Sequence, residues 1–230
     1  MFPIRDTIRS RTFPLANYGI IAINVLVFLF QSSLSERGFS LVLQSFGLTP
    51  ANFSFFAPLQ WITIFSSMFM HGGWFHLISN MWTLYIFGDN VEDRMGPLRY
   101  VAFYLLAGTI AAFTHILISQ NLDVPTVGAS GAVAGVLGAY FVLFPSARVM
   151  TFIPIFILPW FVEIPAFFYL GVWFFSQVAN GLMVGGQGLS GIAWWAHIGG
   201  FGVGLLLVRW FARRPPPGEI YFHQGQRWPQ

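Results

Sequence analysis

The stretch that decides the fold is VGASGAVAGVLGAYFVLFPSAR, residues 127–148. From Ser130 to Pro145 it contains about 15 apolar residues, which form a helix about 22 Å long, whereas a hydrocarbon core is about 30 Å thick. Pro145 and Arg148 fix one end of this helix at a membrane surface. The other end falls short of the opposite surface, so the sequence predicts Ser130 several ångströms inside the membrane.

The composition indicates a multi-pass helical membrane protein. The chain has 230 residues, of which 56% are hydrophobic and 8% are charged, whereas soluble domains carry about 25% charged residues. Cysteine and lysine are both missing, which excludes a thiolate nucleophile, a cysteine-bound metal and a Ser–Lys dyad. The basic side chains are arginines beside apolar spans, so they indicate orientation in a membrane rather than binding to nucleic acid.

Apolar runs predict six spans, which lie at about 15–34, 74–87, 100–118, 130–144, 164–184 and 194–211. The apolar stretch 149–163 contains prolines at its interior, and we predict an interfacial or extended loop there instead of a seventh span. With six spans, ten of the eleven arginines fall on one side, as the positive-inside rule requires for a cytoplasmic face. The predicted domains are a cytoplasmic tail at 1–14, a membrane domain at 15–211 and a Pro- and Arg-containing cytoplasmic tail at 212–230.

Ser130 has two interpretations. Gly131, Gly135 and Gly138 form a stripe of small residues, which favours close packing of transmembrane helices and needs no chemistry. A serine at a helix N-terminus also lies beside free backbone N–H groups and a positive dipole end, which suit a developing oxyanion. Irregular backbone at that depth is tolerated only inside protein or beside a wet cavity, so the sequence indicates a site.

His197 is the candidate general base. His197, Gly200 and Gly204 lie on one face of the sixth span, and the glycines permit close packing against the fourth span. This packing predicts that His197 approaches Ser130 at a similar depth. A polar side chain inside a span is costly and usually functional, although a histidine bonded to a carbonyl without chemistry is the alternative.

His76 and Asn80 are candidates for oxyanion stabilisation. They lie four residues apart on the second span and therefore point the same way. Together with the backbone N–H of Ser130 they would form an oxyanion hole, whereas interhelical hydrogen bonding is the alternative. No carboxylate lies where a third member of a triad would be needed, so we expect a Ser–His dyad.

These motifs together resemble the rhomboid family of intramembrane serine proteases. The matching pieces are HLISN at 76–80, GASG at 128–131 and AHIGGFGVG at 196–204, in the family's order, and GDNVEDRMG at 88–96 is similar to the family's acidic segment. The resemblance implies an all-α, six-helix membrane bundle with a long first loop partly embedded in the outer leaflet, and a fifth span that acts as a lateral gate.

The resemblance also implies Ser130 as nucleophile and His197 as base, with His76 and Asn80 assisting the oxyanion. Two departures stand out. Many members have Trp-Arg in the first loop where this chain has Trp61-Ile62, and an aromatic residue is common where this chain has Ala134. His197 is therefore expected to be positioned by neighbours such as Trp194 or Trp195.

The predicted function is hydrolysis of peptide bonds in transmembrane segments of membrane-protein substrates, without a cofactor or metal. A catalytically silent rhomboid-like chaperone or substrate-binding scaffold is the alternative. The expected location is a bacterial-type plasma membrane, with both termini cytoplasmic. The site is expected to open to the outer face through a polar cavity near His71, His76, Asn80 and the loop at 119–129.

Overall fold

The computed structural model describes residues 2–119, 123–155, 158–184 and 192–213. Its elements in chain order are β1 Phe2–Asp6, α1 Leu15–Ser33, α2 Glu36–Phe46, a 3-10 turn Pro50–Asn52, α3 Pro58–Ser67, α4 Trp74–Met95, α5 Pro97–Ile118, α6 Ser130–Leu143, β2 Arg148–Ile155, β3 Leu158–Pro165, α7 Ala166–Val184 and α8 Trp194–Phe211. The six predicted spans agree with α1 and α4–α8 to within a few residues, except that α4 continues to Met95. Most of the predicted tail at 212–230 lies outside the described residues.

The fold is mostly helical, and the all-α prediction was wrong in one respect, because three strands form an antiparallel sheet in the order β1-β2-β3. The stretch 149–163 was predicted to be an interfacial or extended loop. Its described residues belong to a hairpin in which Ile153 pairs with Trp160. The segment predicted as an N-terminal tail supplies β1, and Phe2 pairs with Phe152.

Asp6 holds β1 against the helices. Its carboxylate accepts hydrogen bonds from the Tyr140 hydroxyl of α6 and from Asn90 Nδ2 of α4. Burial raises the pKa of Asp6 to about 7, because the charged form loses its hydration. The N-terminal strand is therefore attached to the helical core at the end that carries Asp6.

The first helix carries polar residues on its buried face and large apolar residues on its exposed face. Asn17, Asn24 and Gln31 are fully buried at seven-residue spacing, whereas Leu26 and Phe30 are exposed. A helix on a water-soluble protein would show the reverse arrangement. This pattern indicates that the outer face of α1 contacts lipid.

Three of the described helices are long and apolar enough to cross a membrane, namely Leu15–Ser33, Pro97–Ile118 and Ala166–Met183. α6 is apolar but has only 14 residues, so it is short, as the sequence predicted. A count of six spans therefore stays a prediction.

Glu92 of α4 caps the N-terminus of α1. The N-cap residue, Pro14, makes no side-chain hydrogen bond to the start of the helix. Instead, the backbone N–H groups of Ala16 and Asn17 donate to the Glu92 carboxylate at 3.0 and 2.7 Å. A carboxylate at this position satisfies two otherwise unpaired donors and complements the helix dipole. The acidic segment after the second span thus fixes α1 to α4.

The centre of the bundle is α6, in which residues Gly131 to Tyr140 are all buried. Its partner is α8, and the two helices meet at their glycines. A β-carbon at Gly200 would clash with the carbonyl of Gly131, and one at Gly204 would clash with the carbonyl of Gly135. Only glycine lets the two backbones approach this closely.

Candidate active site

Ser130 is the first residue of α6, and the loop before it is tied to the long connection between α1 and α4. Leu48 forms an isolated bridge with Thr126, and the Gly128 N–H donates to the Ser67 carbonyl at 2.9 Å. Gly128 has a φ of +134°, which is a left-handed conformation that favours glycine. The local sequence Gly-Ala-Ser therefore turns the chain into the helix with Ser130 at its N-terminus.

His76 of α4 lies against this turn. A β-carbon built on Gly128 would lie 2.6 Å from His76 Nε2 and 3.6 Å from Ser130 Oγ. The imidazole of His76 and the hydroxyl of Ser130 thus border the same point in space. Glycine at 128 lets the His76 ring pack directly against the turn beside Ser130, at a point where a β-carbon would be too close.

His197 lies in the first turn of α8, at the same end of the α6–α8 interface as Ser130. The residues next to them are in contact, since a β-carbon on Gly131 would lie 3.7 Å from the Ala196 β-carbon. The glycine contacts predicted from the sequence do form between α6 and α8. Ser130 and His197 therefore emerge from adjacent helix ends.

Asn80 lies one turn after His76 and is held by His71. The Asn80 Nδ2 lies 3.1 Å from His71 Nε2. The backbone of His71 is in turn held on both sides by Gln31, which accepts from its N–H at 3.1 Å and donates to its carbonyl at 3.4 Å. One hydrogen of the Asn80 amide is thereby used, and the second is left for another acceptor.

A cavity borders Ser130, and its lining agrees with the prediction in part. Thr126 and Gly128 of the expected loop line it, together with Ser67, His115 and Ala196, whereas His71, His76 and Asn80 are not among its lining residues. His115 Nε2 and Thr126 Oγ1 are 3.0 Å apart. Besides Ser130, the polar groups of the cavity wall therefore come from α3, from α5 and from the loop that precedes α6.

The sequence reasoning missed Gln177 of α7. Its Oε1 lies 2.8 Å from His197 Nδ1, and the Gln177 side chain is 6% exposed. The Trp173 ring also lies 6.0 Å from the His197 ring. The available signal was a glutamine inside an apolar span, where polar side chains are rare and costly.

Two departures from the family pattern have structural reasons. Ala134 is buried, and its β-carbon would lie 3.3 Å from a β-carbon at Gly200, so an aromatic ring there would push α8 away from α6. His197 instead contacts Trp173 and the predicted Trp194, whose ring centroid is 6.2 Å away. Both rings constrain the imidazole from α7 and α8.

The Trp61-Ile62 departure is accompanied by an aromatic cluster. Trp61 packs at 5.7 to 5.9 Å against Phe53, Phe55 and Phe113, and its indole N–H donates to the Phe55 carbonyl at 3.3 Å. Because Phe113 belongs to α5, these rings fix the first loop to the bundle. The loop is therefore anchored by aromatic packing where other members have an arginine.

Among the described residues, no three histidine or acidic side chains are grouped as metal ligands. The site residues come from α4, α6 and α8, and Gln177 comes from α7. The fold and the site together define a class: an integral membrane protein whose apolar helices surround a serine at the N-terminus of a short apolar helix, with histidines on the helices around it.

The family follows from comparison with known proteins. A family model described as the Rhomboid domain matches residues 58–214, which is more than half of the chain. This protein therefore belongs to the rhomboid family, and the resemblance found in the sequence is confirmed.

Several curated proteins are similar to this chain. Presenilin-associated rhomboid-like protein, mitochondrial, of Mus musculus is 32% identical over 142 residues, which cover 60% of this chain and 36% of that protein. Rhomboid protein 1, mitochondrial, of Saccharomyces cerevisiae is 31% identical over 141 residues, covering 59% and 38%. The putative rhomboid protease YdcA of Bacillus subtilis is 28% identical over 130 residues, covering 56% and 62%. The matched region is thus only part of each relative.

Proposed function

We propose that this protein is an intramembrane serine endopeptidase that acts on transmembrane segments of other membrane proteins. Ser130 is the nucleophile, His197 is the general base, and His76, Asn80 and the Ser130 backbone N–H stabilise the oxyanion. The observation that carries this proposal is the meeting of the Ser130 hydroxyl and the His76 ring beside Gly128, with His197 at the neighbouring helix end. Membership of the rhomboid family supports it.

In the proposed reaction, Ser130 Oγ attacks the carbonyl carbon of the scissile peptide bond while its proton moves to His197. Negative charge develops on the carbonyl oxygen, which receives hydrogen bonds from the helix N-terminus and from His76 and Asn80. His197 then gives the proton to the departing amine. Water hydrolyses the resulting ester of Ser130, again with His197 as base, and the enzyme is restored.

Glycine at 128 allows the oxyanion donor to lie beside the nucleophile. The His76 ring packs directly against Gly128, and Ser130 Oγ lies close to the same point, so both groups would act on one substrate carbonyl. A donor placed in advance needs no reorganisation when charge develops, which is why one such hydrogen bond contributes about 3–4 kcal/mol of transition-state stabilisation.

We further propose six spans with both termini cytoplasmic, and a site that opens to the outer face of a bacterial-type plasma membrane. The arginine distribution supports the orientation. The relatives named above include two mitochondrial proteins and one from a bacterium. The kind of membrane is therefore proposed independently of the reaction, and fractionation of the host cell tests this location.

A fluorophosphonate probe tests the chemistry on the detergent-solubilised protein. We expect labelling at Ser130, and we expect Ser130→Ala and His197→Ala to reduce labelling and cleavage of model transmembrane substrates by about 10⁴-fold or more. Ser32→Ala is the matched control, because Ser32 is exposed and only bonds the Leu29 carbonyl of its own helix. Labelling that persists in both site variants would contradict the assignment. Binding of substrates without any cleavage would favour the silent scaffold.

A further inference from the structure

The hydrogen bond between α7 and α8 at His197 assigns a role to Gln177. We infer that Gln177 is a positioning residue, which holds the neutral His197 in the tautomer with its proton on Nδ1 and leaves Nε2 free to accept a proton from Ser130. This inference rests on the proposed function of Ser130 and His197. It places a neutral amide where serine proteases with a triad have a carboxylate.

The neighbours of Gln177 fix which end of its amide faces the histidine. The Ser176 hydroxyl donates to the Trp173 carbonyl at 2.6 Å, so its oxygen is left as an acceptor. Gln177 Nε2 lies 3.0 Å from Ser176 Oγ and 3.3 Å from the Trp173 carbonyl. Both partners are acceptors, so the amide nitrogen must face them. A flipped amide would place Oε1 against a carbonyl oxygen.

The orientation of the amide determines the tautomer of His197. Gln177 Oε1 can only accept, and it lies 2.8 Å from His197 Nδ1. The Nδ1 atom must therefore carry the proton, and a neutral imidazole then has a bare lone pair on Nε2. A general base needs that lone pair, because the ring nitrogen that faces the nucleophile has to take its proton.

The surroundings make the Gln177 contact hard to replace with water. Gln177 is 6% exposed, and the rings of Trp173 and Trp194 lie 6.0 and 6.2 Å from the His197 ring. The half-buried imidazole is thus flanked by two aromatic rings and bonded to one polar partner on α7. A glutamine that only joined α7 to α8 would stabilise packing without affecting the proton on Nδ1, and this difference can be measured.

The test compares Gln177→Leu, Gln177→Glu and the control Asn180→Leu in the full-length protein. Asn180 lies one turn along α7, and its amide bonds the Ser176 carbonyl. The readout is the rate of fluorophosphonate labelling of Ser130 against pH. The titratable neighbours of His197 are His76 of α4 and His115 of α5, and both are unchanged in the three variants.

We expect Gln177→Leu to label at least ten-fold more slowly than the wild type, as a milder form of the roughly 10⁴-fold loss that a wrong tautomer causes in a serine protease. Gln177→Glu retains an acceptor for Nδ1–H but loses the donor that faces the Trp173 carbonyl, so it labels faster than Gln177→Leu. In the plot of its labelling rate against pH, the acid limb moves to higher pH, because a carboxylate stabilises the imidazolium form of His197. Asn180→Leu keeps the wild-type rate and profile.

The inference would be overturned if Gln177→Leu were labelled at the same rate as the wild-type protein. It would also be overturned if Gln177→Leu and Gln177→Glu were slowed equally and kept the wild-type pH profile. If the wild-type protein itself is not labelled, the proposed function fails, and the tautomer is measured directly. In protein with ¹⁵N-labelled histidine, the His197 resonances, identified by their loss in His197→Ala, should show a protonated Nδ1. In Gln177→Leu this signature should be lost, and its persistence would overturn the role of Gln177.

Discussion

The geometry of the candidate site depends on glycine, which has no side chain, at position 128. The Gly128 φ of +134° and the His76 ring 2.6 Å from a built β-carbon exclude any larger residue without movement. The sequence motif Gly-Ala-Ser-Gly indicated a turn into a helix. It contained no information that a histidine more than fifty residues earlier would lie against that turn, because this contact depends on how α4 packs beside α6.

We predict that Gly128→Ala abolishes fluorophosphonate labelling of Ser130 while the helices remain folded. The added methyl group strains a left-handed backbone by about 1 kcal/mol or more and displaces the His76 ring. Gly72→Ala is the control, because nothing lies within 4 Å of a β-carbon at Gly72. Circular dichroism checks the helices, and unchanged labelling of Gly128→Ala would show that the position of His76 is unimportant.

At the scale of elements, the ends of most of the predicted spans were readable from the sequence. The end of α4, the helices α2 and α3 and the pairing of the strands were not. Proline and arginine mark where the apolar runs end, and α6 begins at Ser130 as predicted. The prolines of the stretch 149–163 correctly argued against a straight helix. The partner strand β1, however, comes from residues 2–6, and such a non-local pairing leaves no local trace in either segment.

The glycines of α8 give a prediction with a built-in control. Gly200→Ala should lower the thermal unfolding midpoint, because the new methyl group would clash with the Gly131 carbonyl, and overpacking costs about 1–3 kcal/mol. Gly202→Ala on the same helix should leave the midpoint unchanged or raise it, since nothing lies within 4 Å of its built β-carbon and alanine favours the helix by about 1 kcal/mol. Equal effects of the two substitutions would contradict the packing of α6 against α8.

For the whole molecule, the distribution of polar side chains decides the environment. Asn17, Asn24 and Gln31 are fully buried. Asn17 and Gln31 donate to carbonyl groups of Leu84 and His71, and Asn24 donates to Ile20 of its own helix. Large apolar side chains cover the outside of the same helix. The composition predicted this inversion, because a chain with 8% charged residues has too few to solvate its surface.

The absence of cysteine allows a direct test of topology. We predict that a membrane-impermeant maleimide labels Asp123→Cys from the outside of intact cells, and that Arg9→Cys and Ala212→Cys react only after permeabilisation. Six spans place residues 9 and 212 on one side and residue 123 on the other. Labelling of the Ala212→Cys variant from outside, with Arg9→Cys still protected, would mean an odd number of spans.

The sequence by itself determined the class of environment, the ends of the main helices and the residue types available for chemistry, because hydrophobicity, proline and charge act locally along the chain. It also contained the motifs of the rhomboid family in order. Only the tertiary structure decided which groups meet: Glu92 at the start of α1, Gln31 on the His71 backbone, Gln177 on His197 and β1 on the hairpin. These contacts join residues from different elements, so they depend on the distances and orientations that packing sets.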